Sequence, residues 1–494
     1  MKNLMIKRIF ASCLVLAVSF TGCKKALDIN TDPNNASRDK GTPELIFPAA
    51  VASTAGAIGG EYAVLGGIWS QYWAQSVAAS QFRTIDAYNI NQSDFNARFD
   101  EVFAGALNDY HFTLQKSQET SKWKYFLMAT VMKAYTYQVM VDLYDKVPYT
   151  EAFQGQANLT PKWDEGPDIY NGLLAEIDNA LSKDYQSGPI AGTSDLVFNG
   201  DGDAIDKWVA FANTLKLKMY LRMVYANPGV AEAGIRKLFD SGAPFLSVDA
   251  SLNKFVDEAN KDNPLHEFTA RAITAQNLRA SNTFLSWLVA NGDPRIKTYF
   301  GNGPTYLGID QGDYQNTNTA LIAASINNSK PTDPVQFISL AESNLLQAEA
   351  LERYYGGIGA QAKYNAGVTA AFGQSGLSAA AAPFIAAGGK YAYNSAGTFE
   401  EKLEQIITQK WASFPGSHSL EGFFEKNRTG YPKTSPVYSS AATYISGQFV
   451  VSKVSFLGNN LPKRLIFPDN ERKTNPNTPA IVPLTQKVWW DKKP

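Results

Sequence analysis

Two glutamates seven residues apart, Glu342 and Glu349, are the pair in this sequence best spaced for acid–base chemistry. Seven helical residues span two turns, about 10 Å. Carboxylates about 5–10 Å apart can cleave a glycoside, one giving a proton and the other acting as base or nucleophile. A surface hydrolase using this pair is therefore one reading. The pair also flanks the packing stripe Ala341-Glu342-Ser343-Asn344-Leu345-Leu346-Gln347-Ala348-Glu349-Ala350, where pairing with neighbouring cations, or capping a turn, accounts for it better. His111, His266 and His418 lie far apart, and none belongs to a two-histidine helical metal motif. The chain has no nucleophile elbow, phosphate loop or cysteine pair, so no catalytic residue, no metal and no cofactor is expected.

Binding asks for other residue types. Aromatic faces suit the apolar sides of sugar rings or peptide side chains, while Asn, Asp, Gln and Arg supply hydrogen bonds. Two segments combine them: Gln81 to Tyr88, with Phe82, Arg83, Asp86 and Tyr88, and the glycine-punctuated stretch from Tyr299 through Tyr306, Asp310 and Tyr314. Phe82, Arg83, Asp86, Tyr88, Tyr306, Asp310 and Tyr314 are the candidate ligand-binding residues. Trp69, Tyr72 and Trp73 read instead as core, and Asp201 and Asp203 as caps of the following helix. Arg428 and Arg464 read as buried forks tying loops to the scaffold, because a guanidinium satisfies several carbonyls at once. Nothing in the aromatic loops chooses between an oligosaccharide and a peptide.

The N-terminus carries its own chemistry. Lys2, Lys7 and Arg8 precede an apolar run from Ile9 to Phe20, which is a secretory leader. That run is shorter than the roughly 20 residues a membrane-spanning helix needs. Phe20-Thr21-Gly22-Cys23 resembles the bacterial lipobox, in which the leader is cut before a cysteine that takes a diacylglycerol. Cys13 lies in the leader, so the mature chain keeps Cys23 alone and forms no internal disulfide. Several acyl chains on that cysteine would hold the protein to a membrane stably. Removing residues 1–22 leaves 42 basic side chains against 46 acidic ones, a net charge of −4 that offers no field for nucleic acid.

Helices must position these groups. Apolar residues recur at three and four along Leu127 to Val141, Trp208 to Met223 and Ile338 to Leu351, and Trp123 to Tyr144 reads as a buried helix. Further helices are expected over 43–57, 60–79, 92–118, 167–184, 228–240, 361–374 and 399–413, three of them opening on Pro43, Pro167 and Pro228. Small residues at Ala348 and Ala350, facing a helix near Tyr364 to Phe372, suggest tetratricopeptide-like hairpins. Long aperiodic stretches at 185–200, 242–280, 301–336, 376–397 and 428–462 are expected to be ordered and functional. The polar segment from Lys24 to Asp39 is a tether. Its alternating Asp28, Asn30, Asp32 and Asn34 are spaced as in a calcium loop, but Pro33 stands where that turn needs glycine, so Asx-turns explain it better. The domains expected are a leader over 1–22, a lipidated cysteine and tether over 23–40, and one helical domain over 41–494.

Motifs in a set order along the chain resemble the SusD/RagB family, and within it the SusD-like branch. They are Leu27-Asp28-Ile29-Asn30-Thr31-Asp32-Pro33-Asn34, Asp142-Leu143-Tyr144-Asp145-Lys146-Val147-Pro148-Tyr149, Gly200 to Asp203 running into Trp208 to Leu217, Asp293-Pro294-Arg295-Ile296, Ala341 to Ala350, Gln409-Lys410-Trp411, Phe424 to Pro432, and Leu461 to Leu465. Asp145 stands where glycine is common in the family. The resemblance implies a mainly α fold, with tetratricopeptide-like pairs on one side and a loop-rich ligand-binding side. It implies a non-enzymatic outer-membrane lipoprotein facing the cell exterior, which delivers an oligosaccharide or peptide to a SusC-like TonB-dependent transporter. A structural lid without affinity of its own is the other role that fits. Lys24 and Lys25 follow Cys23 where acidic residues often mark surface export, a departure from the family that bears on location.

Overall fold

Apolar side chains repeating at three and four put one stripe of each helix against the next, and a helix apolar on every face must lie at the centre. In the computed structural model, which describes residues 40–190, 192–200, 202–273 and 276–494, that centre is the helix Trp123–Tyr144. It is buried on all sides from Tyr125 onward except at Lys133, whose ammonium reaches Glu176. The leader, Cys23, the tether and Asp201 lie outside the described residues.

Numbering the principal elements along the chain, α1 is Pro43–Gly59, α2 Glu61–Trp69, β1 Trp73–Gln75, α3 Asn108–Glu119 and α4 the central Trp123–Tyr144. β2 Lys146–Pro148 and β3 Trp163–Glu165 lead into α5 Gly166–Leu181, α6 Ala204–Arg222 and α7 Pro228–Asp240. β4 Ala250–Leu252, β5 Leu278–Ala280, α8 Asn282–Asn291 and β6 Val335–Ile338 follow. The last four are α9 Leu340–Tyr354, α10 Ala360–Gly373, α11 Phe399–Ala412 and α12 Leu420–Thr429. The strands form three small antiparallel pairs, β1–β5, β2–β3 and β4–β6. The fold is mainly α, as the periodicity predicts.

Packing explains the boundaries. α4 lies against α1, α3, α5 and α6, while α9 packs on α10 through Gly367, where an added Cβ would come within 2.6 Å of Leu345. α11 opens with a capping box, Thr398 and Glu401 each bonding the other's backbone N–H. The helix expected over 60–79 stops at Trp69 instead. Gln71 sits at φ +58, in the left-handed region, and the chain reverses there into β1. Over 92–118 the single expected helix is three segments, with a π-helical turn at Glu101–Leu107 between Asn96–Asp100 and α3. α8 was not expected. Its signals are local, Ser281 accepting the N–H of Thr283 at one end and Gly292 in the left-handed conformation at the other. Asp203 makes no capping bond to α6 and instead pairs with Lys207 at 2.7 Å. Among the described residues no helix is long and apolar enough to cross a membrane.

Candidate functional site

The two aromatic loops singled out in the sequence do meet, and their polar atoms face inward. Asp86 accepts hydrogen bonds from the backbone N–H of Gly312 (3.0 Å), the Nε2 of Gln311 (3.2 Å) and the N–H of Gln75 (3.3 Å). Burial pushes its carboxyl up to about 7, against the pull of the two backbone donors. The Arg83 guanidinium lies 5.1 Å over the ring of Tyr314. Asp310 faces Lys453 at 3.3 Å and accepts from Asn282 Nδ2 at 3.1 Å.

Phe82, Asp86, Tyr88, Asp310 and Tyr314 are thus buried, with Arg83 exposed beside them. This differs from the ligand-facing role their residue types suggest. The physical reason is that Asp86 and the Arg83–Tyr314 contact lock the 81–88 loop to the 311–314 turn, while Asp310 ties that turn to Asn282 and Lys453 and Phe82 packs on Phe268. Tyr306 alone of the seven stands apart, half-buried on the wall of a cavity, its hydroxyl donating to the carbonyl of Gly301 at 3.0 Å.

That cavity, about 670 Å³, adjoins two others of about 350 and 230 Å³. Asn327 lines all three and Ile326, Asn328 and Ser329 each line two, so the cavities run along one wall, Ile326 to Ser329, as a groove among the long aperiodic stretches. Its lining is rich in carboxamides and hydroxyls, with Asn327, Asn328, Gln336, Gln374, Ser375 and Thr305 along it, and with the half-buried Tyr299 and Tyr306 and the edge of Phe300 as aromatic surface, while Trp73 behind it is core, as its position after α2 suggests. The wall is held rigidly. Asn328 Nδ2 donates to Thr298 O at 3.0 Å, Lys330 Nζ to Asn328 Oδ1 at 3.0 Å, and the N–H of Lys330 to Asp333 at 2.7 Å.

Asn263 ties this wall to the next segment, donating to Asp333 O at 2.8 Å while its Oδ1 caps Leu265 and His266. Gln336 lines the groove with its Nε2 donating to Asp249 at 3.4 Å and its Oε1 buried. At the floor His418 Nε2 lies 3.1 Å from Glu342. Among the described residues no cluster of three His, Cys, Asp or Glu could hold a metal. The sequence marked these stretches as functional by their length, but apart from Tyr306 and Tyr299 it did not single out the groove's side chains. The run Asn327-Asn328-Ser329 was the one local signal available.

A model of the family described as starch-binding and associating with the outer membrane, SusD-like, matches residues 34–455. The chain belongs to the SusD-like family. Among solved structures it is similar to a SusD homolog from Bacteroides uniformis, at 22% identity with 91% of this chain and 99% of that one covered and a TM-score of 0.73. It is equally similar to a chitin-binding SusD homolog from Flavobacterium johnsoniae, at 22% identity, 90% and 98% coverage and a TM-score of 0.73. A third, described as a chitin-binding protein, is 24% identical over 92% of this chain and 100% of that one, with a TM-score of 0.71. At these identities the likeness is one of fold. A comparison with curated proteins finds no match.

Inside this SusD-like fold the carboxylate pair has no catalytic geometry. Glu342 and Glu349 are fully buried. Glu342 faces Lys218 at 3.3 Å and Lys410 at 3.9 Å besides His418, while Glu349 is gripped by Arg428 through two bonds of 2.7 Å and by Arg353 at 2.8 Å. Burial raises both carboxyls, but these cations outweigh it and hold them well below the usual carboxylate range. A general acid needs the opposite shift and access to substrate, so the hydrolase reading fails on both counts. SusD-like proteins bind and do not catalyse.

Arg428 and Arg464 are the buried forks expected. Arg428 bridges Glu349, Glu425 and the carbonyl of Leu221, and Arg464 donates to the carbonyls of Tyr144 and Leu465. Asp145, where the resemblance implies that glycine is common, has a conformation that suits glycine. Its φ is +72, which glycine takes without cost, and here the carboxylate accepts the N–H of Trp489 at 2.6 Å and faces Arg464 at 3.4 Å.

Proposed function

We propose that this SusD-like protein is a lipid-anchored outer-membrane protein that captures a glycan in the groove walled by Ile326 to Ser329 and passes it to a SusC-like TonB-dependent transporter. The groove's composition carries the reading. Carboxamides and hydroxyls held in fixed positions, beside aromatic rings, suit the alternating polar edges and apolar faces of sugars. The family's description as starch-binding and the chitin-binding relatives of the same fold favour a glycan over a peptide.

Calorimetric titration of the protein with starch, chitin and other oligosaccharides is expected to show binding without product. Tyr306→Ala should weaken that binding about two- to tenfold, the worth of one aromatic contact. Binding of a peptide panel with no response to any glycan would overturn the reading.

Anchoring rests on the leader and the lipobox-like Phe20-Thr21-Gly22-Cys23. Cys23→Ser is expected to shift the protein from the membrane fraction to the soluble fraction of cells, because the thiol is the only attachment point for acyl chains. Membrane association undiminished in that variant would place the anchor elsewhere.

A further inference from the structure

Five arginines are buried among the described residues: Arg222, Arg279, Arg295, Arg428 and Arg464. Four of them have a carboxylate within ion-pair distance. Arg222 reaches Asp142, Glu421 and Glu425, Arg295 reaches Asp293, Arg428 reaches Glu349 and Glu425, and Arg464 reaches Asp145. Arg279 is the exception. It is 6% exposed, and among the described residues no acid pairs with it. Its Nη1 donates to the carbonyl of Ala324 at 2.8 Å, and its Nε is buried with no hydrogen-bond partner.

A guanidinium taken out of water without a counter-charge is costly, which is why buried charges are nearly always paired. Burial unopposed by any nearby anion accordingly pushes this arginine down from its ordinary range. The fold nevertheless holds it there. Arg279 is the middle residue of β5, opposite Ala74 of β1, and bridges on its other side to Ile326 of the groove wall.

Arg279 lines the 670 Å³ cavity, and no residue lining that cavity is acidic. The same cavity presents the rings of Phe300 and Tyr306 and the carboxamides of Asn327 and Asn328. Its volume is that of an ordinary small-molecule site.

We infer that this cavity takes an anionic sugar, whose carboxylate or sulfate supplies the counter-charge that Arg279 lacks while the ring rests against Tyr306 and Phe300. The inference rests on the glycan-binding reading and narrows it to acidic glycans. The carboxamides on the wall complete the ring's hydroxyl contacts, and the guanidinium fork suits the two oxygens of a carboxylate.

The test uses the full-length protein in detergent, titrated calorimetrically with oligogalacturonate, with the same oligosaccharide after its carboxyls are reduced to alcohols, with carrageenan oligosaccharides, and with chitin and maltose oligosaccharides. Oligogalacturonate or carrageenan is expected to bind at least about tenfold tighter than the neutral sugars, the worth of one charge-assisted hydrogen bond in a partly dry site. Which of the two binds names the anion. Arg279→Gln should abolish the preference and Arg279→Lys should keep part of it. If neither variant folds, the unaltered protein decides alone, through the loss of oligogalacturonate binding on carboxyl reduction or, for a sulfate, through the loss of carrageenan binding on desulfation. Neutral sugars binding as tightly as acidic ones would overturn the inference and leave the glycan reading standing. No response to any of these sugars would overturn both.

Discussion

Replacing Arg222 by alanine is expected to lower the free energy of unfolding by about 3–5 kcal/mol, read as an earlier urea midpoint with an unchanged slope. Arg222 is 1% exposed at the C-terminal end of α6. Its Nε lies 2.9 Å from Asp142 of α4, its Nη2 2.7 Å from Glu421 and its Nη1 2.8 Å from Glu425, both on α12. The guanidinium is also sandwiched, 5.2 Å from the rings of Phe424 and Trp490. Truncation leaves the carboxylates buried and opens a gap between two aromatic rings.

Glu421 and Glu425 would keep other cations, since Lys218 pairs with the first and Lys410 and Arg428 with the second. Asp142 would not. Its remaining partners are neutral donors, Tyr170 Oη at 2.6 Å and Trp490 Nε1 at 2.8 Å among them. Burial already pushes its carboxyl up to about 6 despite Arg222, against an unfolded value of 3.8. Losing the arginine raises it further.

A folded state that holds a proton the unfolded chain has released is favoured at low pH, and loses that advantage as pH rises through the folded value. The deficit of Arg222→Ala relative to the unaltered protein should therefore be smaller near pH 5 than near pH 8. A loss under about 1 kcal/mol at pH 8 would mean that the seam pairs its charges without Arg222. Arg222→Lys is expected to recover little, because one ammonium cannot span three carboxylates on two helices.

The seam shows what the sequence made legible and what it did not. That Glu342 and Glu349 share a helical face follows from their spacing, and the alanine stripe around them points to a packed environment. Apart from Arg353, one turn along the same helix from Glu349, their partners are Lys218 of α6, Lys410 of α11, Arg428 of α12 and His418, distant in sequence, so which cation meets which acid is a property of the packing. Helix limits follow the same division. Pro228 and the periodicity behind it fix α7 at its observed bounds, whereas α2 ends early because Gln71 turns left-handed and Trp73 folds back onto Gly67, where a Cβ would come within 2.1 Å of the indole.

The candidate site divides likewise. Asp86 and Tyr314 have the residue types of a ligand site, but the same atoms lock one loop to another when a turn 226 residues away supplies the donors. Arg279 carries the opposite lesson. An arginine in a short strand is unremarkable by type, and its lack of a carboxylate becomes visible only once every acid near it has a place.

Trp411→Ala is expected to cost about 3–5 kcal/mol in the same urea titration, the usual loss for a fully buried large aromatic. Trp411 belongs to the Gln409-Lys410-Trp411 motif of α11 and is fully buried. Its ring stacks on Tyr72 at 5.6 Å and meets Phe284 at 5.0 Å, Trp287 at 5.9 Å and Phe449 at 5.9 Å. Its Nε1 donates to the carbonyl of Ser70 at 2.8 Å, where the chain leaves α2.

These contacts join the helical scaffold to α8, which directly follows the strand holding Arg279, and to the 449 segment beside Gln71. Trp411 does not line the groove, so any effect on binding must pass through the position of those elements. Trp411→Phe separates the two roles. It keeps the ring contacts and leaves the Ser70 carbonyl unsatisfied, for an expected loss of about 1–3 kcal/mol. Its sugar affinity should stay near that of the unaltered protein, while that of Trp411→Ala falls. Equal affinity in all three proteins, despite the stability loss, would show that α11 supports the fold without setting the groove.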